Sequence, residues 1–148
     1  EVWNPYSTTV VNELEQIQRS AARFVYCDYR YTTSPSLLVS SLGWDYLQKR
    51  RLLSQCTLFC KIHHQLVNVP FPPEITLAGY HGRHDHDLKY TIPKAAIDTF
   101  KFSFFPRTAR IWNCLPGQVV NITGVDTFRE AALPAIRLMQ PPVGSTIM

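Results

Sequence analysis

The prolines of this chain decide where its helices can begin and end. A proline lacks an amide donor and has a fixed φ, so it is tolerated in the first turn of a helix and breaks or kinks one elsewhere. Pro106 fits a first turn and Pro116 cannot continue a helix, which leaves room for a helix of about nine residues between them. Within it Thr108, Ile111, Trp112 and Leu115 share one face at three- and four-residue spacing, while Arg107, Arg110 and Asn113 share the other. The first face suits docking on a core; the second could offer guanidinium groups to phosphate.

The same logic divides the rest of the chain. Asn4-Pro5 marks a turn, and Ser7, Thr8 and Thr9 can cap a helix that runs to about Tyr26. Its apolar stripe is Val10, Leu14, Ile17, Ala21 and Phe24, with Glu15, Arg19 and Arg23 as an i, i+4 ladder on another face. Ser34-Pro35 opens a short helix and Gly43 closes it. Asp45 can cap the next helix, Tyr46 to Val67, whose stripe is Leu52, Cys56, Phe59, Ile62 or His63, and Leu66. Lys49, Arg50 and Arg51 crowd its first turns, where the helix dipole favours acids. Either an external anion or plain solvation would accommodate them.

After Asn68 the character changes. Pro70, Pro72 and Pro73 form a stiff connector, and the Gly- and His-rich stretch from Leu77 to Tyr90 reads as a loop. From Tyr90 to Phe105 the composition is β-like, with Phe100, Phe102 and Phe104 alternating against Lys101 and Ser103. A last helix starts at Asp126 and is interrupted by Pro134; residues 140–148 read as a frayed tail. The expected fold is therefore mainly α. A helical subdomain spans residues 1–67 and a mixed, loop-rich α+β subdomain spans residues 68–139.

Composition narrows the chemistry. The chain has 148 residues, 45% of them hydrophobic and 18% charged, with a net charge of +4. That excludes disorder, and the low charge suggests that partners or further chain cover part of the surface. The first residue, Glu1, also suits a fragment of a longer protein. No apolar stretch is long enough to span a membrane, no secretory leader is apparent, and the cysteines lack a disulfide framework, so an intracellular setting in nucleus or cytoplasm is expected.

Tyr26-Cys27-Asp28-Tyr29 has the look of a polymerase turn, but two-metal phosphoryl transfer needs paired carboxylates and Tyr29 stands in the second place. No activated nucleophile or phosphate-binding glycine loop is present, so no catalytic residue and no cofactor is assigned. Cys56, Cys60, His63 and His64 sit at i, i+4, i+7 and i+8 on one helix and form a weak candidate zinc set, against core packing as the alternative. His81, His84, Asp85, His86 and Asp87 form a second cluster, read as solvated loop residues. Candidates for phosphate contact are Arg19, Arg23, Lys49, Arg50, Arg51, Lys61, Arg107 and Arg110, with Tyr29, Tyr31 and Trp44 as nearby aromatics.

Five short motifs occur in order along the chain. They are Val2-Trp3-Asn4-Pro5-Tyr6; Gln18-Arg19 with Ala21-Ala22-Arg23-Phe24; Leu42-Gly43-Trp44 with Leu47, Arg50-Arg51, Leu58 and Lys61-Ile62; Gly82-Arg83 to Asp87-Leu88; and Ser103 to Pro116. Together they resemble the C-terminal end of a non-LTR (LINE-type) retrotransposon reverse transcriptase, of the jockey-like and chicken-repeat-like kind. The resemblance implies a thumb-like helical part that packs on a template–primer duplex, followed by a C-terminal region. It also implies a parent RNA-directed DNA polymerase, with RNA, an RNA–DNA hybrid or DNA, and the remainder of that polymerase, as partners. The palm's aspartates are absent from this sequence. A helical protein-interaction module and a zinc-stabilised module are the alternatives.

Overall fold

The computed structural model describes residues 4–80, 82 and 86–139. Among these residues there are seven helices and no strand: α1 (Thr8–Tyr26), α2 (Pro35–Ser41), α3 (Leu47–His63), α4 (Asp98–Lys101), α5 (Phe104–Asn113), α6 (Gly117–Val120) and α7 (Val125–Leu138). The chain forms two compact units whose boundary falls inside α3, between Arg51 and Leu52, rather than after Val67.

In the N-terminal unit the start of α1 and the proline-led start of α2 lie where the sequence places them. The buried face of α1 does not. Val11, Glu15, Gln18 and Ala22 are buried, each one position after a member of the expected stripe. Ile17 and Phe24 of that stripe are 65% and 72% exposed. The reason is a polar demand that hydrophobic counting ignores. The first amides of any helix lack intrahelical acceptors, and α1 supplies them for α3. Glu15 Oε1 accepts from the Gln48 N–H at 2.8 Å, and its Oε2 accepts from the Leu47 N–H at 3.2 Å. Gln18 Oε1 accepts from the same Leu47 N–H, while its Nε2 donates to the Asp45 carbonyl at 3.0 Å. The ladder from Glu15 to Arg19 and Arg23 gives way to this tertiary cap.

In the C-terminal unit the core is continuous. The remainder of α3 contributes Leu52, Cys56, Phe59 and Cys60; α5 contributes Ala109, Ile111 and Trp112; α7 contributes Phe128, Ala132 and Ile136. Phe59 is fully buried, edge-on to Phe71 and Tyr90 and tilted against Trp112. Leu66, counted in the α3 stripe, is exposed because the helix ends at His63.

The expected strand from Tyr90 to Phe105 is absent. Residues 90–97 are extended or bent, a single antiparallel bridge joins Leu77 to Tyr90, and α4 and the start of α5 occupy the rest. A short aromatic alternation is compatible with either period. Asp98 in the first turn of α4 and Lys101 in its last match the helix dipole. The mixed α+β reading of this half is thereby corrected to helices joined by loops. Two helical boundaries also move. α5 begins at Phe104 rather than Pro106, and Pro106 lies in its first turn as the sequence predicts. Pro134 sits inside α7, which continues to Leu138 and starts from Gly124 rather than Asp126. No candidate membrane span occurs among the helices of the described residues.

Candidate nucleic-acid interface

The expected basic face must be rebuilt residue by residue. On α1, Arg23 is a structural side chain: its guanidinium donates to the Arg30 carbonyl at 3.4 Å and to the Thr33 carbonyl at 3.2 Å. Arg19 is half-buried, with its Nε shielded from solvent. At the start of α3, Arg50 is exposed. Arg51 is half-buried, donates from Nε to Asn4 Oδ1 at 3.3 Å, and is held below its ordinary pKa by burial against the opposing pull of Glu15. Burial also lowers Lys49. Of these three neighbouring cations, Arg51 is the one on which the carboxylate of Glu15 acts.

In the C-terminal unit, Lys61 lies in the last turn of α3, where a cation suits the dipole. Arg107 was expected on an outer face but is 4% exposed, buried beside Thr108 in the first turns of α5. Arg110 reaches the Lys101 carbonyl at 3.4 Å. Asn113, expected to face outward, is tied to Tyr90 in both directions: its Oδ1 accepts from the Tyr90 N–H and its Nδ2 donates to the Tyr90 carbonyl.

The loop between α1 and α2 holds a feature that residue counting missed. Asp28 accepts from the backbone N–H, Nε and Nη2 of Arg30 and from Thr33 Oγ1, at 2.8–3.1 Å. These bonds hold its carboxyl well below the usual carboxylate range. Asp28 thus organises a turn, a role unrelated to catalytic metal binding. Arg23 fastens the same loop from α1. Between these ties Tyr29 is 65% exposed and Tyr31 fully exposed, flanking Arg30. The signal was present as Asp-Tyr-Arg-Tyr, an acid followed two residues later by a base that it can chelate.

The candidate zinc residues do not converge. Cys56 and Cys60 are fully buried in the core, and desolvation pushes their thiols up to about 12 and about 11. His63 Nδ1 lies 2.6 Å from the Tyr90 hydroxyl. Among the described residues, no group of three or more His, Cys, Asp or Glu side chains is arranged to hold a metal ion. Of the second cluster, His81, His84 and Asp85 lie outside the described residues, while a ring nitrogen of His86 lies 3.2 Å from the Trp112 carbonyl.

No known protein family, curated protein or solved structure gives a match to this chain.

Proposed function

We propose that the chain is a non-catalytic segment of a LINE-type retrotransposon reverse transcriptase, its thumb and C-terminal region, which assists template–primer or RNA binding. Its partners on this reading are RNA, an RNA–DNA hybrid or DNA, and the rest of the polymerase chain. The observation that supports it is the α1–α2 loop. Asp28, Arg30 and Thr33 are spent on holding it in shape, while Tyr29 and Tyr31 face solvent. Exposed rings carried on a loop tied in this way are available to stack on bases, and stacking is worth about 1–3 kcal/mol per base. Arg50, exposed at the start of α3 in the same unit, adds a cation for the phosphate backbone.

The test is titration of the full chain with an RNA–DNA hybrid and a single-stranded RNA at several salt concentrations. Affinity is expected to fall with salt, and Arg50→Ala is expected to reduce the logarithmic slope by about 1. Tyr29→Ala with Tyr31→Ala is expected to weaken single-strand binding about tenfold or more. These side chains are exposed, so the variants leave the fold intact. Unchanged affinity and slope in all of them would sink the proposal. A protein-interaction module is the second reading, favoured by the exposure of Ile17 and Phe24 on α1.

A further inference from the structure

In the C-terminal unit a cavity of about 520 Å³ opens beside the end of α3, within the size range of small-ligand sites. The cluster of Phe71, Tyr90 and His63 backs it: Phe71 stacks on Tyr90 at 5.0 Å, and the Tyr90 hydroxyl meets His63. Gln65 and Asn68 are among its lining residues, together with Ile62 and Pro70, and no Lys, Arg, Asp or Glu lines it. Burial, with His64 and His86 nearby, keeps His63 below its ordinary range and so uncharged near neutrality.

Gln65 stands in an unusual place. Three helices end with a left-handed residue whose N–H returns three residues back, followed by an N–H that returns five back. At α2 that residue is Gly43 (φ 66), which any helix of this kind would favour. At α3 it is Gln65 (φ 56), with Gln65 N–H on the Ile62 carbonyl and Leu66 N–H on the Lys61 carbonyl. A glutamine here costs stability that glycine would not. What the strained position gains is a carboxamide at the cavity.

We infer that this cavity binds an unstacked purine base, with the ring of Phe71 as its apolar wall and the carboxamides of Gln65 and Asn68 reading the base edge. Side-chain carboxamides match the paired donor and acceptor of adenine, and bases taken out of a strand settle against aromatic side chains. An uncharged lining suits a neutral base and disfavours phosphate. The choice of a base over other neutral planar ligands rests on the nucleic-acid reading above, but the site lies in the other unit and uses none of the residues proposed there.

Titration of the full chain with adenosine, which carries no phosphate, tests the site separately. Saturable binding is expected, with nuclear magnetic resonance shifts at the Gln65 and Asn68 side-chain amides and none from inorganic phosphate. Asn68→Ala and Gln65→Gly are each expected to weaken it about tenfold or more. Gln65→Gly is also expected to raise the melting temperature, so that stability and binding move in opposite directions. Absence of saturable adenosine binding, affinity unchanged from the parent chain in both variants, or the same shifts from phosphate would overturn the inference. Loss of hybrid binding in Tyr29→Ala with Tyr31→Ala, with adenosine binding retained, would leave both proposals standing as separate sites.

Discussion

His63 shows how one residue type can read as a ligand in sequence and act as packing in place. Its ring lies 5.2 Å from Trp112 and 4.8 Å from His64, and Tyr90 takes its Nδ1. Burial first, then the nearby His64 and His86, lower its pKa from 6.5. The folded chain therefore resists protonation, and the unfolded chain takes up the proton first as pH falls. Stability is full above the ordinary histidine range and declines as pH drops through about 6.5. Thermal melts between about pH 7.5 and about pH 5.5 should show a falling midpoint, and His63→Gln should flatten that fall. A midpoint that stays level or rises on acidification would contradict this account.

Helix α3 owes its start to another helix. Glu15→Ala removes the acceptor for the Leu47 and Gln48 amides and leaves Arg51 without its carboxylate neighbour. The expected loss is about 1–2 kcal/mol, on the scale of a lost N-cap with buried donors, readable as a lower urea midpoint. An unchanged midpoint would mean that solvent caps α3 equally well. This cap also marks what the sequence could and could not reveal. The start of α1, the Pro35–Gly43 pair around α2 and the Leu52–Phe59 stripe of α3 follow from local spacing and were legible. The buried face of α1 was not, since Glu15 and Gln18 are inside for the sake of amides about thirty residues away. Aromatic alternation before Pro106 misled because α4 is too short for its period to emerge. Pro134 misled because Phe128, Ala132 and Ile136 pack along α7 on both sides of it, and that burial outweighs one absent amide bond. In the candidate interface the arginines were easy to find by type. Whether each was spent on its own fold, as Arg23 and Arg107 are, depended on tertiary contacts.

At the scale of the whole molecule, apolar burial is unevenly shared. The core cluster draws all of its members from residues beyond Arg51. The N-terminal unit buries Val11, Ala22 and Val39 along with two polar side chains of α1, and displays large hydrophobic residues such as Phe24, Tyr31 and Leu37. Slowest exchange follows the densest burial. Hydrogen–deuterium exchange should therefore find its most protected amides in residues 56–62, 109–112 and 132–136, and much faster exchange across α1 and α2. Equal protection in α1 and α5 would show that the two units open as one.

The four cysteines carry a practical consequence. Cys56 and Cys60 are sealed in the core as high-pKa thiols, whereas Cys27 and Cys114 are exposed, one in each unit. A maleimide or methanethiosulfonate reagent will therefore choose the exposed pair in the folded chain. Spin labels placed there make the unaltered sequence its own molecular ruler, reporting the separation of the units with and without nucleic acid and requiring no engineered cysteine.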